Sequence, residues 1–122
     1  MNRLFRVAAL VALLCFPVRI EAQYQLIELA DVQLAKSLGA TIQDPTGAPV
    51  PKAVVQEFGA DWKTVLRSHS TDTHGKFSFA PVPGRTIYFI QISALGFDPL
   101  RFRLQVDTKR GTNLKLKLTV AT

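Results

Sequence analysis

The chain has 122 residues, which is room for one domain with a core large enough to close without staples. Hydrophobic residues make up 48% and charged residues 20%, which excludes disorder throughout, and seven Gly with seven Pro favour many turns over long helices. The formal charge of +6 favours anionic surfaces such as phospholipid, lipopolysaccharide or acidic glycan, and does not by itself imply nucleic acid.

Residues 1–22 have the three parts of an export signal: basic Arg3 and Arg6, an apolar run over 7–16, and a breaker at Pro17. Cleavage is expected after Ala22. The apolar run is about half the roughly 20 residues of a membrane-spanning helix, so no transmembrane segment is expected in the mature chain. Cys15, the only cysteine, lies inside this run, which leaves no thiol chemistry after cleavage. Leu14 before Cys15 and the apolar stretch continuing through Phe16 argue against a lipoprotein. Cleavage removes Arg3, Arg6, Arg19 and Glu21, lowering the formal charge from +6 to +4. The mature protein is expected in the periplasm or outside the cell.

Residues 23–32 form an N-terminal extension without a clear assignment. Across residues 24–35, Leu26, Ile27, Leu29, Ala30 and Leu34 fit a short helix about as well as a strand. Beyond residue 32 the pattern becomes period two, with apolar stretches separated by Gly and Pro signals. A first strand is expected over 34–43, ended by Asp44-Pro45-Thr46-Gly47, where Asp caps the turn, Pro presets φ and Gly closes it. Pro49 and Pro51 cannot donate ladder hydrogen bonds, so a second strand is expected near Ala53, with Val54, Val55 and Phe58 supplying its buried atoms.

A third strand is expected over 62–70, ending at Asp72-Thr73-His74-Gly75. Lys76-Phe77-Ser78-Phe79 then places both Phe rings on one face, in the core. After Pro81-Val82-Pro83-Gly84, residues 86–95 are apolar on much of both faces, which predicts a central strand. Leu100, Phe102, Leu104 and Val106 alternate with Arg101, Arg103, Gln105 and Asp107. After Gly111, Leu114, Leu116, Leu118 and Val120 alternate with Lys115, Lys117 and Thr119. About seven strands result, and an antiparallel sandwich is their natural closure.

The punctuation of these strands has a further consequence. The segment from Asp44 through Val55 with its Pro-Thr-Gly turn, Asp72-Thr73-His74-Gly75-Lys76-Phe77-Ser78-Phe79, then Val82-Pro83-Gly84, Tyr88 and Gly96-Phe97, resembles the carboxypeptidase regulatory-like domain family over about residues 33–120. The resemblance implies an all-β, transthyretin-like, seven-stranded antiparallel Greek-key sandwich, of a kind also grouped with carbohydrate-binding-like folds. Members of the family occur as accessory modules beside metallocarboxypeptidases, in front of outer-membrane receptors and in adhesins, so the resemblance implies a fold and a location more than an activity. The Pro-Gly turn is shortened before Gly84 and lengthened before Tyr88. His74 stands where the family usually has Asp or Asn, leaving Asp72 as the nearby acid, and no calcium site is expected there.

Chemistry finds little footing. A zinc peptidase needs at least two well-spaced His with an acid and a base, whereas His69 and His74 are the only two, and an offset of five on a strand sends them to opposite faces. The mature chain has no Cys and no Gly-x-Ser-x-Gly elbow. The Tyr-Arg-Gly-Ser ending of transthyretin-like hydrolases is replaced by Leu118-Thr119-Val120-Ala121-Thr122. No enzyme, catalytic residue, metal or cofactor is expected.

Binding has more support. Trp62, Tyr24 and Phe97 are aromatic residues outside obvious core positions, and Trp62 is the candidate platform for a sugar ring. A lone Trp on a strand, with Leu66 on its face, is however more often half-buried core. Arg101, Arg103, Lys115 and Lys117, with Lys109 and Arg110 at the joining turn, could form a basic stripe for polyanions. Their ordinary use is to protect an exposed sheet from aggregation. Like charges opposed across a hairpin are destabilising, so register offsets them, the strands lie in different sheets, or an anionic partner is welcome. The expected function is an exported, non-catalytic binding module with a glycan or an envelope protein as partner; the alternative is an accessory subunit of a peptidase or envelope transporter.

Overall fold

The computed structural model describes residues 23–122, so the expected signal at 1–22, its cleavage site and Cys15 lie outside the described residues. Two sheets enclose one core. The larger contains β1 (Ile27–Glu28), β2 (Gln33–Ala35), β4 (Val54–Phe58), β5 (Val65–Ser70), β7 (Ile87–Ser93) and β8 (Leu100–Val106). The smaller contains β3 (Gly39–Gln43), β6 (Lys76–Ser78) and β9 (Lys115–Lys117).

Large-sheet order is β1-β8-β7-β4-β5, with β2 also on β8, and small-sheet order is β6-β3-β9. The chain therefore changes sheet between β2 and β3, β3 and β4, β5 and β6, β6 and β7, and β8 and β9. Alternation dictates which residues face inward. Val55, Tyr88, Ile90, Ile92, Leu100, Phe102 and Leu104 from one sheet meet Ala40, Ile42, Phe77, Leu116 and Leu118 from the other. Phe79 packs against this core beside buried Phe77, as the alternation predicts. β7 lies between β4 and β8, the central position its two apolar faces require.

The all-β sandwich stands, but its strand count and pairing differ from expectation. Nine strands occur among the described residues rather than seven, and the sheets are mixed, with β1 and β2 parallel to β8 and β3 parallel to β9. The stretch expected as one strand over 34–43 is divided at residues 36–38: β2 completes the large-sheet edge, and β3 then enters the small sheet. Residues 24–35 contain β1 and β2 and no helix. Both short strands cover successive parts of one edge, Ile27 opposite Leu100 and Gln33 opposite Leu104. Val54 is 41% exposed rather than buried, because β4 turns Val55 and Glu57 inward.

The punctuating turns form as their residues dictate. Asp44 Oδ1 accepts the Thr46 and Ala48 amides at 2.9 and 3.0 Å, while Gly47, at φ 92°, donates to the Asp44 carbonyl. Asp72 Oδ1 accepts the His74 and Lys76 amides at 2.8 and 2.9 Å, closed by Gly75 at φ 74°. A Cβ at Gly75 would collide with the Ile42 carbonyl oxygen. Asp107 repeats the device, accepting from the Lys109 and Arg110 amides. At the chain's described ends, the Gln23 amide donates to the Thr122 carbonyl at 3.3 Å.

Candidate functional site

The outer face of the large sheet is built in register. Phe58, Phe89 and Arg103 align across β4, β7 and β8, and Gln56, Gln91 and Arg101 form the next row. Trp62 lies over this face rather than in a strand, since β5 starts at Val65. The tight turn from Gly59 to Trp62, closed by the Trp62 amide on the Gly59 carbonyl at 2.9 Å, carries the indole back over the sheet. The register slip between Glu57 and Phe58 sits beside it. Leu66, expected to share a strand face with Trp62, is instead exposed on β5.

The indole centroid is 5.4 Å from Phe89 with the rings at 89°, and 5.8 Å from Phe58. The Arg101 guanidinium lies 4.4 Å from the indole centroid, and its Nε and Nη2 donate to Gln91 Oε1 at 3.2 and 3.0 Å. Trp62 remains partly exposed, held at φ 62° in the left-handed region that a bulky residue seldom occupies. Arg103 Nη2 donates to the Ala30 carbonyl at 2.6 Å, tying the N-terminal segment to β8. Exposed Glu28 stands opposite Arg101 in the register.

Of the five candidate binding residues, Trp62, Arg101 and Arg103 share this face, and Lys115 and Lys117 do not. The last two project from β9 in the other sheet, where buried Leu116 between them turns both outward. The expected basic stripe is thus divided between opposite sides of the sandwich. After Gly111 the chain crosses over, with Lys36 donating to the Thr112 carbonyl and Thr41 to that of Leu114. Of the three ways to relieve like-charge opposition, the structure uses separate sheets. Arg110 is held by Asp107 at 3.0 Å, and Lys109 is exposed in the same turn.

Tyr24 is half exposed, its hydroxyl accepting from the Gly96 amide at 3.4 Å, and Phe97 packs against the core. His69 stands 6.0 Å from the Phe79 ring, and His74 lies in an exposed turn. Among the described residues no group of three or more His, Cys, Asp or Glu is placed to hold a metal ion.

One charged centre escaped the sequence reading. Glu57, fully buried, accepts from Arg67 Nε at 2.7 Å on one oxygen and from Arg85 Nη1 at 2.8 Å on the other. Arg67 continues to the Ala80 carbonyl and Arg85 lies against Tyr88, whose hydroxyl joins the Arg85 carbonyl to the Val82 amide. The available signal was parity, since Glu57 falls two residues after Val55 on the inward face. Its cations, 10 and 28 residues away, were beyond the reach of local pattern.

This two-layer core with its Asp-and-Gly turns has a counterpart among known families. The family model described as carboxypeptidase regulatory-like domain matches residues 37–119. The chain belongs to that family. The matched segment of the regulatory-like domain contains Trp62, Arg101, Arg103, Lys115 and Lys117 and begins after β1 and β2. Among curated proteins no significant match is found. No described helix of the regulatory-like domain is long and apolar enough to cross a membrane.

Proposed function

We propose that the chain is an exported, non-catalytic binding module whose working surface is the Trp62–Arg101 face, with a carbohydrate, and specifically a cell-envelope glycan, as ligand. The observation that carries this reading is Trp62 itself. A bulky aromatic in a left-handed backbone conformation is retained at a cost, and such strain concentrates where a side chain must be presented in one way. Phe89 and Phe58 support the indole, while Arg101 and Gln91 supply polar groups beside its apolar surface. An apolar plate next to fixed donors and acceptors matches a sugar ring, which has an apolar face and a hydroxyl rim. Membership of a regulatory-like family supports an interaction role over a catalytic one. The test is retention on insoluble uncharged polysaccharides. Trp62→Ala should fold and lose retention; unchanged retention removes the reading.

A second reading, an accessory subunit acting through protein contacts, is favoured by β5. This strand pairs with β4 alone among the described strands and exposes Val65 and Leu66 at 46% and 45%. A stoichiometric protein co-purifying from the native envelope supports it; retention on glycan without such a partner supports the first.

A further inference from the structure

The outer face of the small sheet has a shape that its strand pattern explains. β3 presents Gly39, Thr41 and Gln43 outward, because Ala40 and Ile42 face the core. Small and polar side chains make this central strand a low floor. Its neighbours carry long side chains at matching positions: Thr41 is in register with Lys76 of β6 on one side and Lys115 of β9 on the other, and Gln43 with Lys117. At the ordinary inter-strand spacing the two lysine backbones stand about 10 Å apart across Thr41. The result is a trough of about 460 Å³, with Asn113 in its lining.

Its lining contains two lysines and no acidic residue. Lys76, Lys115 and Lys117 form no ion pair among the described residues, whereas Arg67, Arg85 and Arg110 all do. The carboxylates nearest in sequence, Asp44 after Gln43 and Asp72 before Lys76, are engaged by the amides of their own turns; the Lys76 charge helps to lower Asp72 but forms no ion pair with it. Cations brought together over an open floor repel one another unless an anion lies between them.

We propose that this trough binds a linear anionic polysaccharide, its carboxylate or sulfate groups held between Lys76 and Lys115, with Lys117 next along β9 beyond the lining. The site is on the opposite side of the sandwich from Trp62 and does not depend on that residue. A sugar chain is favoured over a phosphate polymer because Thr41, Gln43 and Asn113 offer acceptors as well as donors. Hydroxyl groups use both, and an acceptor-only polymer does not.

Titration of the folded protein with polygalacturonate and with heparin tests the site. Lys76→Gln/Lys115→Gln should bind both roughly tenfold more weakly, the loss expected for one or two charge-assisted hydrogen bonds. Lys52→Gln/Lys63→Gln, with the same change in charge at exposed positions elsewhere, should bind as the parent does. Trp62→Ala should also leave binding unchanged. Equal losses in the two lysine pairs, or none in either, would reduce the effect to diffuse attraction and overturn the site. Loss on Trp62→Ala would move binding to the other face and likewise overturn it. Tighter binding of inorganic polyphosphate than of either glycan would overturn the choice of ligand.

Discussion

Trp62 holds a left-handed backbone, at φ 62°, that costs an ordinary L-residue about 1–2 kcal/mol. The cost is offset where the indole covers Phe58 and Phe89 and meets Arg101, all within 6 Å of its centroid. Two substitutions separate the backbone from the ring. Trp62→Ala loses the aromatic contacts and keeps the strain; Trp62→Gly loses the same contacts and releases it. Trp62→Gly should therefore be the more stable of the two by about 1 kcal/mol in urea unfolding. Both should be defective in retention on uncharged polysaccharides. Equal stability would mean that the strain is not borne at this residue. The sequence placed Trp62 at the head of a strand because nothing in Asp61-Trp62-Lys63 announces a positive φ. Gly59, the local signal for a turn, lies three residues earlier.

Glu57 shows how an element is anchored by partners its own sequence does not reveal. Its carboxylate joins β4 to Arg67 on β5 and to Arg85 in the connection before β7, with both oxygens used. The two arginine side chains keep roughly a third of their surface in water although Arg67 Nη2 is buried, so the arrangement is only partly desolvated. Glu57→Gln should cost about 3 kcal/mol, the lower end of the range for breaking a buried pair. A fall in thermal midpoint with unchanged native circular dichroism is the expected signature. The same distinction between local and distant causes divides what was legible. The alternation that defines β7 and β8, and the Asp44–Gly47 and Asp72–Gly75 turns, are written within a few residues and appear as expected. The division between β2 and β3 is not, because Lys36-Ser37-Leu38 breaks no periodicity strongly. The placement of Arg101 and Lys115 on different sheets depends on β9 choosing β3 over β8. That choice is made by burial of Leu116 and Leu118 in the shared core, not by any property of the connecting turn.

Across the whole molecule, three aspartates act alike. The Thr46 hydroxyl first and the amides of Ala48 and Thr46 hold Asp44 below its ordinary value of 3.8. The Lys76 amide leads for Asp72, and the Arg110 amide followed by its guanidinium leads for Asp107, both also lowered. A lowered native value means that the unfolded chain takes up protons first. The contribution is complete above the ordinary aspartate value and disappears as pH falls through the lowered native values. Urea midpoints should therefore hold level at neutral pH and decline as pH approaches the ordinary value of 3.8 and passes below it. Asp72→Asn should flatten that decline. A midpoint that instead rose on acidification would contradict the turn assignment.

The hydrogen bond between the Gln23 amide and the Thr122 carbonyl holds the first and last described residues of the domain side by side. A fold closed in that way can be spliced into a surface loop of another protein without stretching its host, or cut open at an exposed turn such as Pro83-Gly84 and rejoined through a short bridge. Both outer faces of the sandwich would then be carried by a scaffold attached at a single seam.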